Sequence, residues 1–244
     1  MSLCIALGSS VHAGDQASAD EEFTARALKL REKALEELSP HVLTPLYRKP
    51  ATETKWKRSI ITTVFSIGER RGGNQSSAWE DEWQKKFGGY DDPNVKARTG
   101  FIPSTFKPGL NPFYVALPYN DVVQGTTKPE ARVVIPWFRS TFMREGASVC
   151  KDHWVAIRKG ERVAYAQWSD CGPFRSDHYQ YVFGPERPLP NASGGAGLSI
   201  SPAVRDYLGL ESKDATDWKF LDIHDVPPGP WTKYGANNPL VGKP

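Results

Sequence analysis

The sequence predicts a mainly β protein built from many short strands. Its 244 residues include 20 prolines and 21 glycines, which favour frequent turns over long helices. Between the turns lie short segments rich in β-branched and aromatic residues, and regularly spaced segments of this kind indicate a barrel or a sandwich. We predict strands over residues 59–67, 113–117, 131–137, 149–158, 162–170 and 218–223, and a helix over 202–208.

The composition excludes several classes of protein. Hydrophobic residues make up 39% of the chain and charged residues 24%, with a mean hydropathy of -0.51, as in ordinary water-soluble domains. The composition therefore predicts no transmembrane segment. The net charge is only +3, and lysine and arginine form no dense block. Nucleic acid is therefore not an expected partner, although the mild positive charge would favour an anionic envelope or glycan.

The N-terminal residues predict export. Residues 3–7 are apolar, and Val11 and Ala13 fit the small-residue rule of a signal-peptidase site, so residues 1–13 are interpreted as a signal peptide, possibly truncated. The positively charged start of such a peptide is missing, which leaves a cytosolic tail as the alternative. Cleavage would remove Cys4, and the protein would reside in the periplasm, in the cell envelope or outside the cell.

Three further segments precede or interrupt the predicted barrel. Ser18 and Glu21 form a capping box that opens an amphipathic helix over residues 18–39. Residues 40–55 are predicted to be a linker, and residues 56–235 a β-barrel domain with a turn-rich insertion over 70–109. Asp91 and Asp92 in that insertion are typical of a turn, so no metal site is predicted.

A tight hairpin joins two of the predicted strands. Gly160 occupies the first central position of a two-residue turn between Lys159 and Arg162. Counting outward from this pair, Cys150 faces Cys171 at a non-hydrogen-bonded site, where Cα atoms approach to about 4.5 Å. We therefore predict a disulfide between them, which agrees with export. Zinc bound by these cysteines with His153 and His178 is the weaker alternative, because residues 150 and 153 point to opposite faces of a strand.

The same register pairs Lys151 with Asp170, and Trp168 follows on the same face. A neighbouring lysine would lower the pKa of Asp170 and keep the carboxylate ionised. A second interpretation is that Asp170 caps the Cys-Gly-Pro turn through a local hydrogen bond. A third is that Asp170 is an acid catalyst, which would require a raised pKa.

Several motifs resemble those of the rare lipoprotein A and expansin-type double-psi β-barrels. Asp170-Cys-Gly-Pro-Phe174 is similar to the family's Asp-x-Gly-Pro-Phe, and residues 197–209 are similar to its Leu-Asp-Leu-Ser…Leu-Gly motif. Residues 111–120 resemble its Leu-Pro-Phe-Gly segment, and residues 60–68 resemble its first strand. The resemblance implies a six-stranded double-psi β-barrel with a groove for glycan.

The resemblance also implies site residues. In lytic transglycosylases of this class a carboxylate acts as general acid and base on peptidoglycan, and Asp170 matches that position. Ser199 stands where the family has a second aspartate, and Tyr114 stands where the rare lipoprotein A type has histidine. The expected ligand-binding residues are Tyr114, Tyr119, Lys151, Trp168 and Ser199, with Trp137 as a further aromatic candidate.

The sequence thus predicts an exported protein that binds cell-wall polysaccharide and needs no cofactor. Asp170 would accept hydrogen bonds from sugar hydroxyls, because the two changed family positions disfavour catalysis. One alternative is a lytic transglycosylase-like enzyme that uses Asp170 as acid and base. The other is a structural or protein-binding barrel.

Overall fold

Six strands close into a barrel in the computed structural model of the protein, which describes Arg26, residues 55–69 and residues 75–242. The predicted mainly β class and the six-stranded closed barrel are confirmed. The chain divides into two compact units, Met1–Ala51 and Thr52–Pro244, and the barrel belongs to the second.

The first unit contains a single described residue. Arg26 is exposed and lies in a helix, within the predicted helix over 18–39. The rest of that helix, the predicted signal peptide over 1–13 and the linker over 40–55, apart from its last residue, lie outside the described residues. These expectations stay predictions.

Short elements dominate the second unit. The strands are β1 (Lys57–Val64), β2 (Arg98–Thr99), β3 (Ile102–Pro103), β4 (Tyr114–Leu117), β5 (Val122–Val123), β6 (Thr126–Thr127), β7 (Trp154–Lys159), β8 (Arg162–Cys171), β9 (Leu198–Ile200) and β10 (Lys213–Phe220). The α-helices are α1 (Trp83–Phe87), α2 (Ala131–Val134), α3 (Phe138–Thr141), α4 (Tyr179–Val182) and α5 (Pro202–Leu208). Three 3-10 turns cover Val95–Ala97, Ile223–Asp225 and Pro230–Thr232. Within the described ranges, no helix is both long enough and apolar enough to cross a bilayer.

The barrel mixes parallel and antiparallel strands. Its order is β1-β10-β7-β8-β4-β9, and β9 returns to β1. The pairs β8/β4 and β9/β1 are parallel, and the other four are antiparallel. Only the three residues of β9 connect β4 to β1. Barrel closure therefore depends on a very short strand.

The β7–β8 hairpin has the predicted register. Lys159 pairs with Arg162, and the ladder continues to Trp154 opposite Gln167. Gly160 has a φ of 55°, and the first central residue of a two-residue hairpin turn requires such a positive φ. The sequence therefore determines this pairing locally.

Strand β7 begins five residues later than predicted. The buried Asp121 accepts hydrogen bonds from Ser148 Oγ at 2.6 Å and Val149 N at 2.7 Å. Ser148 Oγ in turn accepts from the backbone N–H groups of Cys150 and Lys151. These side-chain bonds compete with the ladder, so the chain turns at 150–152 instead of continuing as a strand.

The predicted strand over 131–137 is wrong, because this segment forms helix α2 and the start of the next turn. Ala131, Ile135 and Phe138 are buried, whereas Val133 is 84% exposed. This spacing follows the helical period, and an apolar run of this length does not by itself separate helix from strand.

Helix α5 has the predicted bounds, 202–208. Ser201 caps it, since its Oγ accepts from Val204 N at 3.2 Å, and Pro202 occupies the first turn. Gly209 ends the helix in the left-handed conformation, with a φ of 69°. Pro202, Ala203, Val204 and Leu208 are buried, so one face of the helix packs on the core.

A buried ion pair attaches the insertion between β1 and β4 to the barrel. Arg98 and Asp91 form a salt bridge with both side chains almost fully buried. The Tyr114 hydroxyl, on β4, donates to the other Asp91 oxygen at 2.8 Å and accepts from Ile67 N at 3.0 Å. Burial raises the pKa of Asp91, while Arg98 opposes that shift. The barrel and its insertion thus share one polar anchor.

We expect Arg98→Met to lower the free energy of unfolding by about 3–5 kcal/mol at neutral pH, because Asp91 would lose its buried cation. The loss should shrink in acid, where Asp91 can take up a proton. Urea unfolding followed by tryptophan fluorescence measures both effects. Lys85→Met, which breaks the exposed pair with Glu82, is the control and should cause little change. Equal effects of the two substitutions would contradict the anchoring role.

Candidate functional site

Asp170 lies near the end of β8, at the rim of the barrel. The β4–β8 ladder runs from Val115 opposite Trp168 to Ala116 opposite Asp170, so Ser169 is an extra residue in β8. Such a bulge reorients the side chains that follow it. The chain then leaves the sheet through Gly172 and Phe174, which both have positive φ. The predicted position at a strand end is confirmed.

The Asp170 carboxyl is half-buried and held by backbone groups. Its Oδ1 accepts hydrogen bonds from Ala78 N and Cys171 N, both at 2.8 Å. Burial raises the pKa of Asp170 above its ordinary value of 3.8, and these two hydrogen bonds only partly oppose the shift. No charged side chain of the described residues contributes to this pKa shift. Asp170 thus has the environment of an acid without a counter-ion.

The predicted ion pair between Lys151 and Asp170 is wrong. Lys151 Nζ instead donates to the Trp79 carbonyl at 3.3 Å and lies 3.4 Å from Glu80 Oε2. The turn at 150–152 is the physical reason, because the ladder ends before Lys151 can face Asp170. The expectation that a lysine keeps Asp170 ionised is therefore also wrong.

Residues 77–80, here called the covering segment, lie against the site. Ser77 and Glu80 form an isolated bridge that folds the segment, and Ala78 between them donates to Asp170. Trp79 Nε1 donates to Asn120 Oδ1 at 2.8 Å, and its ring meets Trp168 edge to face at 5.7 Å. Sequence reasoning missed this segment, because the insertion follows no hydrophobic period and matches no motif.

Asp152 is a second carboxyl that sequence reasoning missed. It has a φ of 64°, and its backbone N–H donates to the Trp168 carbonyl at 2.8 Å. Burial raises its pKa, and Asn237 Nδ2 donates to it at 2.8 Å. Sequence patterns could not predict this environment of Asp152, because it is created by the turn at 150–152 and that turn depends on the distant Asp121.

The three aromatic residues predicted to bind ligand belong to the core. Tyr114, Tyr119 and Trp168 expose no more than 1% of their surface. Tyr114 anchors the insertion, Tyr119 packs on Phe183, and Trp168 stacks on Phe220. None of them offers a ring face to a sugar, so these three predictions are wrong. Trp137 is only half-buried, but its ring stacks on His153 at 3.5 Å.

Ser199 lies in the wall of the barrel, not in the site around Asp170. It is 5% exposed, and its Oγ shares a hydrogen bond with Thr63 Oγ1 at 2.9 Å. Ala116 pairs with both Ser199 and Asp170, so two strand spacings, roughly 10 Å, separate them. A single sugar hydroxyl therefore cannot contact both.

The predicted disulfide is absent, because Cys150 and Cys171 are free thiols. The turn at 150–152 places Cys150 outside the β7–β8 ladder, although the two thiols stay near enough for Cys171 to raise the pKa of Cys150. The Cys171 thiol donates instead to the Tyr119 carbonyl at 3.1 Å. Burial raises the pKa of both thiols, and the nearby Asp121 raises that of Cys150 further. Within the part of the chain that the structure describes, no three His, Cys, Asp or Glu side chains are arranged to hold a metal.

Sequence comparison does not assign a family to the chain. No protein-family model and no curated protein matches it. The resemblance to rare lipoprotein A and expansin-type barrels therefore rests on the motif residues alone.

We expect Asp170→Asn to become more stable relative to the wild type as the pH rises from about 3.5 to 7. The raised pKa means that the folded protein holds the Asp170 proton more tightly than the unfolded chain does. Ionisation above the ordinary pKa of 3.8 therefore costs the wild type stability that the variant keeps. Urea unfolding at several pH values measures the difference. A variant that instead loses relative stability as the pH rises would show that the ionised form is the favoured one.

We expect the thiols of Cys150 and Cys171 to react slowly with iodoacetamide in the folded protein, since each unit of raised pKa lowers the thiolate fraction about tenfold. Both should react rapidly once the protein is unfolded without reductant. Mass spectrometry of the digested protein locates the modified residues. If neither thiol reacts after unfolding, the two are joined and the free-thiol state is wrong.

Proposed function

We propose that this protein cleaves cell-wall glycan, with Asp170 as the proton donor and acceptor at the rim of a double-psi β-barrel. The observation that carries the proposal is the half-buried Asp170 carboxyl, whose pKa is raised and which has no cation beside it among the described residues. A cleavage mechanism with one acid requires a desolvated and unpaired carboxyl. The two parallel pairs in the six-stranded barrel support the double-psi topology.

The proposed reaction is a lytic cleavage of peptidoglycan. Protonated Asp170 donates its proton to the glycosidic oxygen as the bond to the anomeric carbon breaks. The sugar's own 6-hydroxyl oxygen then attacks that carbon and gives its proton to the Asp170 carboxylate. An anhydro-sugar end forms, and Asp170 returns to its protonated state. The substrate implies an exported protein of the periplasm, envelope or cell exterior.

Binding without cleavage is the second candidate. Ala78 N already donates to Asp170 Oδ1, so the covering segment restricts access to one of the two carboxyl oxygens. Ser199 and Tyr114, at the other two family positions, are engaged in structural hydrogen bonds. In this case Asp170 would accept a hydrogen bond from a sugar hydroxyl without transferring a proton.

Incubation of the purified protein with peptidoglycan tests both candidates. We expect the wild type to release anhydro-muropeptides, detected by mass spectrometry, and Asp170→Asn to reduce that rate by about 10²–10⁴-fold while still pelleting with the polymer. Asp177→Asn is the matched control, because Arg175 lowers the pKa of this exposed residue.

Three outcomes differ from that expectation. Pelleting of the wild type without release would support binding alone. If the wild type neither pellets with the polymer nor releases fragments, the remaining candidate is a structural or protein-binding barrel. If Asp170→Asn and Asp177→Asn reduce the release of anhydro-muropeptides equally, Asp170 is not the specific proton donor and acceptor.

A further inference from the structure

A cavity of about 510 Å³ lies at the start of β1, and Asp170 does not line it. Its apolar wall includes the side chains of Tyr181, Trp218 and Phe220, which are at least 95% buried. Its charged lining includes Lys57, Arg58, Arg187 and Lys219. The cavity thus combines aromatic walls with several cations.

A bulge in β1 builds this arrangement. The ladder with β10 shifts register between Lys57 and Ile60, and Ser59 takes a φ of 51°. In a regular strand Lys57 and Arg58 would point to opposite faces, yet both line the cavity. Arg187 holds the bulge, since its guanidinium donates to the carbonyls of Arg58 at 2.5 Å and Ser59 at 2.7 Å.

Lys57 is the most enclosed of the cations. Its Nζ donates to the Gly184 carbonyl at 2.7 Å and lies 5.3 Å and 5.7 Å from the ring centroids of Tyr181 and Trp218. Burial, followed by the charge of Arg187, lowers the pKa of Lys57 from 10.5 to about 8. The surroundings of Lys57 thus disfavour its charged ammonium form relative to the neutral amine.

Little negative charge faces these cations: Arg58 lies near enough to Asp217 to lower its pKa, and Asp217 is itself paired with Arg158. Glu186 is the acidic residue in the lining, and its carboxylate lies 3.1 Å from His178 Nε2. No described carboxylate forms a salt bridge with Lys57, Arg58, Arg187 or Lys219. An anion in the cavity would therefore gain charge-assisted hydrogen bonds without displacing an internal ion pair.

We propose that this cavity binds the oxyanion, carboxylate or phosphate, of a small organic molecule whose apolar part packs against Phe220 and the half-buried Trp56. The oxyanion would accept hydrogen bonds from Lys57 and the neighbouring guanidinium groups. The site lies at the same end of the barrel as Asp170, because β1 begins where β10 and β8 end. It shares no lining residue with the Asp170 site, and the inference does not depend on the proposed function.

Calorimetric titration of the full chain with benzoate and phenyl phosphate tests the proposal, with benzyl alcohol as the uncharged probe. We expect at least one anion to bind and the alcohol not to bind. The stronger of the two anions identifies a carboxylate or a phosphate as the natural group. Lys57→Met should weaken binding by about ten- to a hundredfold, whereas Lys96→Met, at an exposed site outside the cavity, should not change it.

The pH dependence provides a second readout. Affinity should fall as the pH rises through about 8, where Lys57 loses its proton, and Lys57→Met should lack this step. Tyr181 does not titrate in this range, because burial raises its pKa far above it. Lys57 is the lining group whose lowered pKa sets this step.

If Lys57→Met does not fold, Arg58→Met takes its place, because the exposed Arg58 side chain lies at the cavity rim. This variant should weaken binding severalfold. No binding of either anion, equal binding of benzyl alcohol, or unchanged affinity in the folded cavity variants would overturn the proposal. Asp170→Asn should leave anion binding unchanged, so a failure here is distinct from a failure of the proposed glycan cleavage.

Discussion

Closure of the barrel by strand β9 is the constraint on which the rest of the structure depends. Its three residues pair with β1 on one side and β4 on the other, so they alone join the two edges of the sheet. The approach is close, because a Cβ on Gly197 would lie 2.3 Å from Pro188 Cγ and 2.7 Å from the Tyr181 hydroxyl. Leu198 and Ile200 are buried, and Ser199 is bonded to Thr63. The serine at the family's second aspartate position therefore contributes to closing the barrel.

The insertion links barrel closure to the chemistry at the rim. Its anchor is the buried Asp91, held between Arg98 and the Tyr114 hydroxyl of β4. The same insertion carries Ala78, whose N–H reaches Asp170 on the neighbouring strand. Burial raises the pKa of Asp170, and the Ala78 N–H of the insertion opposes part of that shift without bringing a cation to the carboxyl. A segment without any recognisable motif thus modifies the residue that carries the motif.

Local sequence was enough to predict elements whose interactions are short in range. Gly160 specifies the β7–β8 turn and hence the register of that hairpin, and Ser201, Pro202 and Gly209 determine both ends of α5. Predictions were wrong where a distant residue intervenes. Asp121 turns the chain at residues 148–152, which removes the Cys150–Cys171 disulfide and the Lys151–Asp170 pair together. The apolar run at 131–137 was wrongly predicted to be a strand, because a run this short fits both the helical and the strand spacing of apolar residues.

The candidate site around Asp170 likewise combines features set by local sequence with features set by distant segments. The sequence by itself determined that Asp170 lies at a strand end before a Gly-Pro turn, because strand propensity and turn residues act over a few positions. Only the tertiary structure decided its environment. Burial, the Ala78 N–H and the displacement of Lys151 toward Glu80 all come from segments far away in the chain. The pKa of a carboxyl reflects the solvent, charges and donors within a few ångströms, and in a closed barrel those neighbours are assembled by long-range strand pairing.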